Sequence, residues 1–119
     1  MKNPHTGFAR LISAARFSWQ GLHSAFRHET AFRQEALAAM VLIPLAVFVA
    51  DSATEMAALI GTVLLVLIVE LLNSAVEAVV DRIGDEFHEL AGRAKDMGSA
   101  AVLLSLILLV MVWMALLLY

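Results

Sequence analysis

Four polar side chains recur at helical spacing through an otherwise apolar stretch: Glu70, Asn73, Glu77 and Asp81. At about 100° per residue they fall within roughly one quarter of a helix circumference. The other side of that helix is Leu, Val and Ala. Ionisable groups are costly in a bilayer and mark function there by default. Such a stripe must face a cavity, a metal or a protein partner. Its carboxylates can accept protons, and their oxygens suit a hard ion such as magnesium rather than zinc. Apart from Lys2 the one lysine is Lys95, beside Asp96. Carboxylates near a lysine at a membrane surface fit three classes of protein. One is a phosphoryl-transfer enzyme acting on a lipid hydroxyl with magnesium and ATP. The second is an ion- or proton-handling helix bundle, and the third an assembly subunit whose stripe makes inter-helix hydrogen bonds. An ion pathway calls for acidic groups across the whole membrane. Here the stripe is confined to one end and the last apolar stretch carries no charge, which favours surface chemistry.

Composition sets the frame for these residues. The hydrophobic fraction is 61%, well above the roughly one half of soluble globules, so the chain reads as an integral membrane protein. A net charge of −3 argues against a nucleic-acid binder. The absence of cysteine excludes disulfides, thiolate zinc sites and a cysteine nucleophile. The polar start, Met1 to Gly7, has no apolar core of signal type, so no cleavable signal is expected. A chain of this size with about three membrane helices cannot enclose a deep pocket. An enzyme site is therefore expected between subunits.

The elements that position the stripe follow from periodicity. From about residue 7 to 27, Phe8, Leu11, Ile12, Ala15, Trp19, Leu22 and Phe26 recur at helical spacing, with Arg10, Ser13, Gln20, Ser24 and Arg27 on other faces. Thr6 can cap this helix, and its aromatic and arginine faces suit the membrane interface better than a soluble core. Three transmembrane helices are expected, at about 31–50, 56–83 and 97–119. The first contains Pro44, a candidate kink, and takes Arg33, Gln34 and Glu35 to the membrane boundary. Asp51 to Glu55 reads as a turn, and 84–96 as a charged connection. The third span opens with Gly98, Ser99, Ala100 and Ala101, small residues that allow close helix approach. Positive charges precede the first span and flank the second connection, but the first connection has none. The N-terminus is thus expected in the cytoplasm and the C-terminus outside.

Phosphate-binding glycine loops of the Walker type and soluble-kinase strings are missing. His5, His23, His28 and His88 are scattered and form no ligand pair. What the chain does contain is a set of longer strings. They are Gly7-Phe-Ala-Arg10, Ala31-Phe-Arg-Gln-Glu35, Ile68-Val-Glu70-Leu-Leu-Asn73-Ser-Ala-Val-Glu77-Ala-Val-Val-Asp81-Arg-Ile-Gly84, and His88-Glu-Leu-Ala-Gly-Arg-Ala-Lys95-Asp96-Met-Gly98-Ser-Ala-Ala101. With this spacing over essentially the whole chain, the sequence resembles prokaryotic diacylglycerol kinase. Its longer N-terminal helix is similar to the Gram-negative branch; a related Gram-positive branch phosphorylates undecaprenol.

The resemblance implies an all-α membrane protein: an interfacial amphipathic helix and three transmembrane helices per subunit. It implies a homotrimer in the bacterial inner membrane with active sites shared between neighbours. The implied reaction moves the ATP γ-phosphate to diacylglycerol with magnesium, giving phosphatidic acid and recycling diacylglycerol into phospholipid synthesis. Carried over by position, Glu70 is the general base, and Glu29 and Glu77 hold magnesium. Arg10, Phe17, Glu29, Glu77, Glu86, Phe87, His88, Lys95 and Asp96 fall at ATP-contacting positions. Arg10, Ala14, Ala15, Ser18, Trp19, Arg33, Gln34, Glu35, Ser99 and Trp113 line the lipid site with Glu70. Asn73 and Asp81 support the site. The chain departs from the family pattern at Phe17, where a tyrosine is usual, and Phe87 likewise lacks a hydroxyl. Ser13 and Gln20 replace lysines and Arg16 replaces a glycine, which alters contacts with anionic lipid but leaves the carboxylates intact.

Overall fold

The computed structural model describes residues 7–83 and 89–119. These residues form four α-helices: α1 (Phe8–His28), α2 (Thr30–Val49), α3 (Ala53–Ile83) and α4 (Glu89–Leu118). The last three are each long and apolar enough to cross a membrane.

Helix α1 starts from Gly7, whose φ of 66° lies in the left-handed region that favours glycine. No side chain caps this end, and Thr6, the cap expected from the sequence, lies outside the described residues. Phe8, Leu11, Ile12, Trp19, Leu22 and Phe26 are all exposed, so the apolar face of α1 is not covered by its own chain. Within α1 Ala25 alone is buried. The helix ends at Glu29, which is extended (φ −110°, ψ 110°) and also starts α2. Arg33 Nη1 donates to the carbonyls of Phe26 at 2.8 Å and Arg27 at 3.3 Å. It satisfies carbonyls that the end of α1 would otherwise leave without partners. Helix α2 runs through Pro44, which sits inside it.

Helix α3 begins at Ala53, before the expected 56. Ser52 Oγ accepts a hydrogen bond from the Glu55 N–H at 3.1 Å, and Glu55 Oε1 accepts from the Asp51 N–H at 3.5 Å. A Ser-x-x-Glu string thus caps the helix and shortens the turn. With 31 residues α3 is about 46 Å long at the α-helical rise, so it outreaches a hydrocarbon layer of about 30 Å. Helix α4 begins at Glu89 rather than 97. Residues 89–96, read from their charge as a connection, are helical because Ala, Leu, Glu, Arg and Lys are strong helix formers whether or not lipid surrounds them.

The main packing is the antiparallel pair α3 and α4, with α2 against α3. Its core gathers Ala39, Ala46, Leu59, Val63 and Trp113. Trp113 Nε1 donates to Leu59 O and Thr62 Oγ1, both at 3.2 Å, while Thr62 Oγ1 donates to Leu59 O at 2.9 Å. Inter-helix hydrogen bonds in membranes average about 0.6 kcal/mol. Thr62→Val is therefore expected to cost about that much stability and to leave turnover unchanged, read by thermal unfolding beside an activity assay. Turnover lost at an unchanged melting temperature would contradict a purely structural role for this contact.

Candidate active site

Glu70 is 4% exposed, the one acidic side chain among the buried residues described. It lies near the middle of α3, eight positions beyond Thr62, or about 12 Å further along the axis. Glu35 reaches it from α2, close enough for the two carboxyl groups to interact. One oxygen of Glu35, Oε1, is buried and has no hydrogen-bond partner. The boundary residue expected near lipid is thus turned inward onto the stripe.

One turn further along α3, Asn73 Oδ1 and Ser74 Oγ are also buried without partners. Orphaned polar atoms of this kind cost stability and need an explanation; Ser74 lies on the side of α3 that faces α1, while Asn73 Oδ1 is turned onto α4 against Gly98. Beside Ser74 a groove of about 530 Å³ opens between α1 and α3, within the range of small-molecule sites. Ser18, Gly21, Leu22 and Ser24 form its α1 wall, Glu29 its end, and Leu71, Ser74, Ala75 and Ala78 its α3 wall. Glu29 reaches the groove because it occupies the extended joint between α1 and α2. That joint is also the N-terminus of α2, which favours a negative charge.

Lys95 Nζ sits 2.8 Å from Asp81 Oδ1, with both side chains substantially exposed, and Glu77 adds to the attraction. Exposed pairs contribute little stability, so Lys95 can exchange this partner for a phosphate at small cost. Asp96 and Arg10 are exposed. Glu86, Phe87 and His88 lie outside the described residues.

Expected site residues therefore come together in three places: Glu35 with Glu70, Glu29 with Ser18 along the groove, and Lys95 with Asp81 and Glu77. Arg33 is engaged with the end of α1. Gln34, Ala14, Ala15, Trp19 and Ser99 are exposed. Ser18 Oγ donates to Ala14 O at 2.9 Å, and the Arg16 guanidinium lies 5.8 Å from the centre of the Phe17 ring, a cation–π contact. Trp113 stands apart, in the core beside Leu59 and Thr62. Gly21 and Ser24 were missed as groove walls. Their only signal is smallness and polarity on the face of α1 turned toward α3.

Among the described residues no three His, Asp or Glu side chains gather as a complete metal cage. Glu29 lies in the groove and Glu77 beside Lys95 and Asp81, in separate groups; either carboxylate has the chemistry for magnesium, which characteristically takes one or two and fills its shell with water and substrate phosphates.

A buried Glu70 with Glu35 beside it, a groove between α1 and α3 and three apolar spans fit a helical membrane enzyme. The family described as prokaryotic diacylglycerol kinase matches residues 16–117. The chain is 55% identical over 117 residues to the diacylglycerol kinase of Escherichia coli K12, covering 98% of this chain and 96% of that one. It is 55% identical over 108 residues to that of Haemophilus influenzae (91% and 92% covered). With that of Pseudomonas aeruginosa the identity is 49% over 113 residues (95% and 92% covered). The chain belongs to the prokaryotic diacylglycerol kinase family; it is a membrane protein and a kinase.

Proposed function

We propose that the protein phosphorylates diacylglycerol to phosphatidic acid, with ATP and magnesium, at the cytoplasmic face of the bacterial inner membrane. The observation that carries this reading is Glu70: a carboxylate buried in an apolar span, braced by Glu35, beside a groove that ends in Glu29. Phosphoryl transfer depends on positioning and charge stabilisation more than on covalent chemistry. The lipid hydroxyl oxygen bonds to the γ-phosphorus as the bond to the β-phosphate oxygen breaks. Its proton passes to Glu70, and ADP leaves. Glu29 and Glu77 would hold magnesium, which when bound would supply positive charge to the phosphates. Lys95 moves from Asp81 to a phosphate oxygen, and Arg10 and Asp96 bind the nucleotide with Glu86, Phe87 and His88. Glu35 and Gln34 meet the lipid headgroup. The acyl chains run toward the apolar core, which is where Trp113 lies.

Helix α1 rests in the interface, since its exposed aromatic and aliphatic face needs an apolar cover and its arginines need water or lipid phosphate. The positive charges place the N-terminus inside and the C-terminus outside. The test of the reaction is transfer of labelled phosphate from ATP, with diacylglycerol and undecaprenol as rival acceptors. Preference for undecaprenol would overturn the substrate.

The working unit is a homotrimer with sites shared between subunits. Two carboxylates per metal site and a shallow groove in a single chain support this. Mixing an inactive Lys95→Met protein with an inactive Glu70→Gln protein is expected to restore part of the wild-type rate. No recovery, with mixed trimers demonstrated by crosslinking, would place each site within one chain.

A further inference from the structure

Helix α4 meets Asn73 through a residue without a side chain. A Cβ placed on Gly98 would overlap Asn73 Oδ1 and lie 3.2 Å from Asn73 Cγ. The glycines Gly21 and Gly61 are also helical, yet a Cβ on either would meet nothing within 4 Å. Gly98 is therefore set apart by a close approach to one particular amide. Glycine weakens a helix interior relative to alanine, so its presence in α4 calls for a local return.

Asn73 is three residues from Glu70 and four from Glu77, which puts it between the base and a metal carboxylate on one helical face. Its Oδ1 is buried, turned onto α4 and without a hydrogen-bond partner. The atoms of Asn73 nearest a Gly98 Cβ are Oδ1, Cγ and Cβ, which leaves Nδ2 on the far side of the amide. That nitrogen is a donor.

We propose that Gly98 is a positioning residue for phosphoryl transfer: its bare Cα lets α4 close on Asn73 and holds the amide so that its N–H donors face the transferring group between Glu70 and Glu77. The inference rests on the kinase reading. A fixed donor aimed at passing negative charge stabilises the transition state without reorganisation. A Cβ at position 98 displaces that donor, and a misplacement of about 1 Å can cost roughly 10²-fold in rate. The competing explanation is that Gly98 only lets two membrane helices pack closely.

The test is a double-mutant cycle on the full-length protein, reading kcat, KM for ATP, KM for diacylglycerol and thermal unfolding. Gly98→Ala is expected to lower kcat by roughly 10–100-fold, with both KM values within about threefold of wild type. Asn73→Ala is expected to lower kcat similarly. The double variant should turn over no more slowly than Asn73→Ala alone, because the side chain that Cβ displaces is gone. Two residues acting through one contact are non-additive; independent packing losses add. If Gly98→Ala fails to assemble, the comparison of the double variant with Asn73→Ala still decides. Fully additive losses, a wild-type kcat in Gly98→Ala, or a wild-type kcat in Asn73→Ala each overturn the proposal. A wild-type protein that fails to phosphorylate diacylglycerol removes the kinase reading and this inference with it. A working wild type beside an equally fast Gly98→Ala removes the inference alone.

Discussion

Glu70→Gln is expected to insert and assemble like the wild type and to lose about 10²–10⁴-fold in turnover, the usual cost of removing an acid–base group. Glu70 is buried on α3 beside Glu35. Glutamine keeps the shape and can hydrogen-bond Glu35, so the packing of α2 on α3 is retained. What it loses is the ability to take the proton of the lipid hydroxyl. The measurement is kcat with labelled ATP and saturating diacylglycerol, run beside a melting curve and a sizing column. Near-wild-type turnover in a correctly assembled variant would remove Glu70 from the chemistry. A collapsed melting temperature would instead assign its effect to the carboxyl pair as a structural contact.

The second large effect is expected at Glu77. With only two carboxylates proposed for the metal, each supplies a large share of the protein's ligands, and oxygen donors and their charge are what hold a hard cation. Glu77→Gln should raise the magnesium concentration for half-maximal activity by about tenfold or more. Even an outer-shell partner of a bound metal commonly has an effect of that size. The maximal rate should also fall. Glu77 also faces the Lys95 and Asp81 pair, so a packing role makes a different forecast: lower thermal stability with the magnesium curve unchanged in shape. A titration and a melting curve on the same preparation separate the two, and an unmoved midpoint would reject Glu77 as a ligand.

The acidic stripe was legible in the sequence because helical spacing alone puts Glu70, Asn73, Glu77 and Asp81 on one face. The three spans were legible because apolar length is a direct requirement of the bilayer. Two helices begin earlier than the spans expected from apolar length. Charge hid the start of α4, since hydropathy reports where lipid ends and not where the helix ends. The cap of α3 was present as Ser52 and Glu55, but the segment was read as a turn for its polarity. Contacts between helices were least accessible. The Asp81–Lys95 pair, the Trp113–Thr62 bond and the approach of Gly98 to Asn73 all depend on the register of α3 against α4. No local pattern fixes that register. Arg33 is a similar case: its charge was visible, but its partners in the last turn of α1 were not.

That arginine makes the bend between α1 and α2 a crank. Its guanidinium grips two carbonyls of the lateral helix while its backbone belongs to the first turn of the span. A change in the tilt of α2 must therefore carry the end of α1 with it. Glu29 rides on the pivot and Ser18 to Ala25 form one wall of the groove. The width of the groove is thereby tied to the angle of one joint, and a single arginine clasps that joint.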